Sequence, residues 1–218
     1  MKVQLKPAIK ICGVTKKEQA LKIASLGTDA IGVVGVNSSK RYLENKQRRE
    51  LFQALEQYFP DIERVWVVSN PSEKDISECL TGEGCPSVIQ LHGKESYGIC
   101  KRFKEKYPKV KWWKALRIRQ RKQLLLAESY QQFVDAILFD TWSAKELGGT
   151  GKRLPLEWFS DVNFQKPWWL AGGVSAEWVP EILAKANPYG IDASSKIEKS
   201  PGIKDIEQVE LLIKSIKN

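Results

Sequence analysis

Ala8-Ile9-Lys10-Ile11-Cys12-Gly13 runs into Val14-Thr15-Lys16-Lys17-Glu18 and then into a helically spaced segment, Glu18–Leu26. The short apolar run predicts a strand that stops at Cys12. Gly13 permits a turn, and Thr15 with Glu18 has the spacing of a capping box. A strand that ends on a thiol, turns on glycine and re-enters as a helix is the repeating piece of an α/β fold. Such folds build their sites at those strand ends. Free cysteine is also among the most buried residue types, so this stretch alone leaves Cys12 as either a core thiol or a site residue.

The same pattern recurs along the chain. Strands are predicted at Ala8–Cys12, Ala30–Val34, Arg64–Val68, Ser87–Leu91, Lys111–Leu116, Ala136–Asp140, Trp168–Ala171 and Gly190–Ala193. Helices are predicted at Glu18–Leu26, Leu43–Tyr58, Ser72–Leu80 with Ser72 as cap, Glu95–Tyr107, Gln123–Phe133, a short piece at Leu156–Phe159, Ser175–Ala186 and Asp205–Ile216. The strands are near-continuous apolar runs, as expected when both faces are covered. Alternating strands and helices argue for a parallel sheet. Eight units in 218 residues fit a compact (β/α)8 TIM barrel. A doubly wound open sheet is the alternative, but no G-x-G-x-x-G follows the first strand. No Pro/Gly/Ser-rich linker divides the chain, so one domain over 1–218 is expected.

Composition narrows the classes of function. No stretch approaches the ~20 apolar residues of a membrane span, and Met1 to Lys6 lacks the apolar region and small-residue cleavage site of a signal peptide. A cytoplasmic protein, or the mature form of an organellar one, with no membrane partner is expected. The four cysteines (Cys12, Cys79, Cys85, Cys100) form no C-x-x-C pair and His92 is the single histidine, which argues against a zinc site or a disulfide framework. The formal charge is +9, with a locally basic run from Lys114 to Lys122. Basic residues alternate with 26 acids along the whole chain, so a solvated face is favoured and no nucleic-acid partner is expected. A site for an anionic small molecule accounts for part of the bias.

In a barrel all C-terminal strand ends open on one mouth. The ends here are Cys12-Gly13, Ser38-Ser39-Lys40-Arg41-Tyr42 beyond strand 2, Gln90-Leu91-His92-Gly93, Asp140-Thr141 with Gly148-Gly149-Thr150-Gly151-Lys152, Ala171-Gly172-Gly173, and Asp192-Ala193-Ser194-Ser195. Glycines after strand 7 suit a phosphate, because the backbone can approach an oxyanion closely; an ordinary tight turn is the other reading. Cys12 and Asp140, three strands apart, face each other across the mouth as a candidate base and acid; a structural acid capping the loop after strand 6 is the other reading of Asp140. Lys10 shares the inward face with Cys12. It is either the cation that stabilises a thiolate or the partner of an inward acid such as Asp192.

Lys10-Ile11-Cys12-Gly13, Gln90-Leu91-His92-Gly93, Leu138-Phe139-Asp140, Gly148-Gly149-Thr150-Gly151-Lys152, Leu170-Ala171-Gly172-Gly173-Val174 and Gly190-Ile191-Asp192-Ala193-Ser194-Ser195, in this order and each at a strand end, resemble the phosphoribosylanthranilate isomerase family of tryptophan biosynthesis over about the whole chain. Ser38 to Tyr42 resembles a looser version of its S-P-R-Y segment, with Arg41 in the arginine position. The resemblance implies an Amadori rearrangement of N-(5-phosphoribosyl)anthranilate with no metal and no organic cofactor. It implies Asp140 as general acid on the furanose oxygen and Cys12 as general base at ribose C2. Arg41 would pair with the anthranilate carboxylate. Gly172, Gly173, Ser194 and Ser195 would hold the phosphate, with His92 and Asp192 as further substrate-binding residues. The expected partner is a small phosphorylated substrate, and a monomer is expected over a dimer.

Two departures stand out. Lys196 follows the paired serines where the family usually has glycine, and lysine does not readily adopt a positive φ, so a differently shaped loop is expected. Ser38-Ser39-Lys40 replaces the family's proline-containing approach to the arginine. Other sugar-phosphate barrels fit less well. Metal-dependent epimerases need more ligands than one histidine supplies, histidine-pathway isomerases use aspartate where Cys12 stands, and the lysine and glutamates of indole-glycerol-phosphate synthases are missing. A non-catalytic binding barrel would need neither Cys12 nor Asp140.

Overall fold

A computed structural model describes residues 6–141 and 153–217. Gly148 to Lys152, one of the stretches singled out above, lies outside the described residues. Eight parallel strands close into a barrel in chain order: β1 Ala8–Cys12, β2 Ala30–Val34, β3 Glu63–Val68, β4 Val88–Leu91, β5 Lys111–Ile118, β6 Ala136–Thr141, β7 Trp168–Ala171 and β8 Gly190–Ala193. Closure comes from β1 pairing with β8, where Lys10 stands in register with Asp192. Among the described residues six helices pack outside, α1 Lys17–Ser25, α2 Asn45–Tyr58, α3 Glu73–Cys79, α4 Tyr97–Lys106, α5 Leu126–Tyr130 and α6 Val179–Lys185, and α7 Ile206–Lys217 follows β8. Among the described residues no helix is long and apolar enough to cross a membrane.

The strand pattern produces two cores. Outward residues such as Ile9, Ile11, Ile31, Ile89 and Phe139 meet the helices in one large cluster. Inward residues form a second, inside the barrel, where Trp113 and Trp169 (ring centroids 4.7 Å apart) fill space left by Ala30, Ala115 and Ala136. Large and small side chains thus share the narrow interior. Cys12, Val67 and Ala171 belong to the same inner cluster.

Several local expectations change. Thr15 and Glu18 form no capping box: Lys16 takes the cap position without a side-chain bond, because Thr15 Oγ1 donates instead to the Gly202 carbonyl at 2.7 Å. Ser72 does cap α3, and Asp75 completes that box. The predicted Gln123–Phe133 helix is a 3-10 turn, Arg121–Leu125, followed by the short α5. The Gln123 side-chain oxygen takes the Arg119 and Gln120 N–H groups, which holds the chain in that turn. The eighth strand is followed by a small hairpin, β9 Glu198–Ser200 and β10 Ile203–Lys204. The basic run is not one surface, since Lys114 is buried in an ion pair with Glu95 at 2.7 Å.

Candidate active site

The strand ends converge on a cavity at the C-terminal mouth. Cys12 from β1, Arg41 from the segment after β2, His92 after β4 and Asp140 from β6 line it. Gly172 and Gly173 after β7, and Asp192, Ser194, Ser195 and Lys196 at the end of β8, complete the wall. Every residue singled out above as catalytic or substrate-binding therefore meets in one place. Gly172 and Gly173 adopt φ of 91° and 68°, the left-handed region that only glycine enters at little cost. Gly13 does likewise at 76°, and a Cβ there would lie 2.5 Å from the Arg41 Cδ.

Lys10 lies beneath the cavity, fully buried, with its ammonium 2.9 Å from Asp192 Oδ1. Burial lowers its proton affinity, but the Asp192 carboxylate and the Cys12 sulfur outweigh this and leave it above its ordinary 10.5. Lys10 therefore pairs with Asp192, and its charge also pulls the Cys12 thiol down against burial. Burial pushes the Cys12 thiol up; Lys10 and Lys204 oppose that, Asp192 adds to it, and the balance stays above the ordinary 9.0. Burial also pushes Asp192 above 3.8, against the pull of Lys10.

Two buried polar atoms of the cavity-lining residues lack a hydrogen-bond partner: Gln90 Oε1 and His92 Nε2. His92 Nε2 stands 3.5 Å from Asp140 Oδ2, a separation too long for a good hydrogen bond. Unsatisfied groups of this kind mark places where a ligand or water is received. Gln90 was not singled out from the sequence, although its spacing of two from His92 on the same strand gives it the same facing. Ser194 Oγ donates to the Cys12 carbonyl at 3.0 Å. Its proton thus fixes the turn below Cys12, and toward the cavity its hydroxyl offers lone pairs. Lys196 is exposed within a 3-10 turn, Ser195–Ile197. Among the described non-glycine residues only Asn70 and Asn187 have positive φ, so Lys196 sits in this loop without a positive φ.

Arg41 is held by Glu198, its Nε 3.0 Å and 3.1 Å from the two carboxylate oxygens and its Nη2 2.7 Å from Oε2. Lys204 Nζ reaches the same carboxylate at 2.7 Å. Neither Glu198 nor Lys204 was legible as a site-related residue. They arrive through the β9–β10 hairpin, which no periodicity announces. Among the described residues no group of three or more His, Cys, Asp or Glu side chains is placed to hold a metal.

Fold and site first define a class: a (β/α)8-barrel enzyme whose mouth holds a thiol and a carboxyl on separate strands, beside a wall of glycine, serine and lysine. Residues 9–215 match the family model described as N-(5'phosphoribosyl)anthranilate (PRA) isomerase. The chain is 40% identical over 208 residues to the N-(5'-phosphoribosyl)anthranilate isomerase of Synechococcus elongatus, with 95% of each covered. The chain belongs to the phosphoribosylanthranilate isomerase family. The crystal structure of the Thermotoga maritima phosphoribosyl anthranilate isomerase matches it with a TM-score of 0.86 at 29% identity, covering 97% of this chain and 98% of that one. Another isomerase of this name, solved with reduced 1-(o-carboxyphenylamino)-1-deoxyribulose 5-phosphate, matches with a TM-score of 0.81 at 28% identity, over 97% and 98%.

Proposed function

We propose that this chain isomerises N-(5-phosphoribosyl)anthranilate to 1-(2-carboxyphenylamino)-1-deoxy-D-ribulose 5-phosphate by an Amadori rearrangement, the third step of tryptophan synthesis from chorismate. The observation that carries this reading is the meeting of Cys12 and Asp140 on one small cavity in a chain matched to the family from residue 9 to residue 215.

Asp140, as general acid, gives a proton to the furanose oxygen while the C1–O bond breaks and the anilino nitrogen forms an iminium with C1. Cys12, as general base, then takes the C2 proton. The C–H electrons become the C1=C2 bond, and those of C=N⁺ return to nitrogen. The enolamine so formed gains a proton at C1 and loses its O2 proton to give the ketose. Burial raises the proton affinity of the Cys12 thiol, and the thiol becomes easier to ionise once a cationic iminium lies beside it, because an adjacent opposite charge favours the charged form. Lys10 assists in the same sense.

Arg41 receives the anthranilate carboxylate, for which a planar guanidinium is suited. The Gly172-Gly173 backbone, Ser194 and Ser195 receive the phosphate, with the Lys196 ammonium beside it. Gln90 and His92 offer their unsatisfied atoms to the sugar. The protein acts as a monomer, which light scattering on the purified chain would test; a dimer mass at assay concentration would count against it. Loss of phosphoribosylanthranilate fluorescence on adding purified protein, in the presence of EDTA, tests the reaction. Steady turnover is expected. No turnover, or turnover restored only by a divalent ion, would overturn the reading.

A further inference from the structure

Glu198 and Lys204 face each other across the β9–β10 hairpin in register. Their side chains are 3% and 0% exposed, and Arg41 beside them is 12% exposed. Glu198 thus carries two cations on one carboxylate: the forked Arg41 contacts on both oxygens, and Lys204 on Oε1, where the Gly202 N–H also donates at 3.2 Å. The hairpin is itself pinned to the front of α1. Thr15 Oγ1 donates to Gly202 O, Gln19 Nε2 donates to Lys204 O at 2.9 Å, and the Lys204 N–H donates to Gln19 Oε1 at 3.1 Å. Lys204 Nζ also reaches the Ser194 carbonyl at 3.4 Å, behind the rim of the cavity.

An arginine side chain loses considerable rotamer freedom when it is fixed in one geometry. If that loss occurs on ligand binding, affinity falls; if the free protein has already fixed the side chain, affinity is retained. Glu198 engages Arg41 through its Nε and Nη2, which sets the plane of the guanidinium against the cavity wall. The geometry points to Glu198 as a positioning residue: anchored by Lys204, it holds the Arg41 guanidinium in the orientation that receives the carboxylate of the substrate's aromatic ring. This rests on the reading of Arg41 as the carboxylate ligand.

The test is a double-mutant cycle in kcat and KM on Arg41→Ala, Glu198→Gln and the pair, with a thermal melt for each. Glu198→Gln is expected to raise KM about tenfold, the effect of supplying one long side chain's order at binding, while kcat changes by less than about threefold. On the Arg41→Ala background the same change should alter KM by less than about twofold. Glu198→Asp keeps the charge on a shorter arm, and its KM should fall between those of the wild type and the glutamine variant. It also carries the test if the glutamine variant melts below assay temperature. Removing a negative charge beside Arg41 also works in the opposite direction, by strengthening attraction for an anion. A KM that falls, or that is unchanged in both Glu198 variants, therefore overturns the proposal. So does a rise of the same size without Arg41. If Arg41→Ala itself leaves KM unchanged, the carboxylate-ligand reading fails and the proposal falls with it.

Discussion

Cys12 sits among opposing influences: burial raises its proton affinity, the ammonium groups of Lys10 and Lys204 lower it, Asp192 raises it, and the balance lies above 9.0. If the thiolate is the base, its population in the free enzyme grows with pH throughout the neutral range. The sign follows directly, because a group titrating above the assay pH gains its basic form about tenfold per pH unit. The kcat/KM profile should therefore climb from pH 7 towards 9, and a flat profile there would show that deprotonation of Cys12 is not required. Lys10 has a different weight. Replacing it by Met leaves Asp192 buried without its cation, a loss of about 3–5 kcal/mol for a broken buried pair. Equilibrium urea unfolding of Lys10→Met should show a loss of that size, and a loss below about 1 kcal/mol would mean that Asp192 is neutral in the folded protein. Cys12, Asp140 and Asp192 were legible as residues because each lies at the C-terminal end of a strand. Gln90, two residues before His92 on the same strand, is legible by the same period.

At the scale of elements, the strands with the cleanest apolar runs match their predicted limits: Ala8–Cys12, Ala30–Val34, Trp168–Ala171 and Gly190–Ala193 all appear with those ends. Both their faces are buried, so one signal, continuous apolarity, decides them. Helix ends were less legible because tertiary contacts compete for the capping groups. Thr15 has the spacing of a cap, yet its hydroxyl is committed to Gly202, 187 residues further along the chain. The loop after β8 shows the same limit, since its shape depends on a hairpin folding back on α1. Its Lys196 yields a clear test. With no positive φ to relieve, Lys196→Gly should not tighten binding. It should raise KM a few-fold at physiological salt, where the Debye length is about 8 Å, and more at low salt. A KM that falls on Lys196→Gly, with the same salt dependence as the wild type, would show that the ammonium does not meet the phosphate.

The molecule as a whole joins a closed barrel to a mouth assembled from its strand ends, and buried ion pairs tie the two together. Glu95 is the clearest case. Its carboxylate takes the Lys114 ammonium, the Asn70 N–H at 2.6 Å and the Gly93 N–H at 3.0 Å and 3.1 Å. It thereby fastens the segments after β3 and β4 to β5. Lys114→Met would strand that carboxylate, at a loss of about 3–5 kcal/mol, or roughly 6–20 °C in Tm for a chain of this size; calorimetry showing a shift under about 2 °C would contradict it. The barrel was legible in the sequence because eight similar units admit few closed arrangements, whereas buried charge networks such as this depend on side chains from distant units meeting. The central claim is that the mouth is an acid–base site with Cys12 as its base, and it is tested most directly by kcat for phosphoribosylanthranilate loss in Cys12→Ser beside the wild type. The account predicts a fall of at least ~100-fold with KM little changed, whereas a near-wild-type kcat would contradict it.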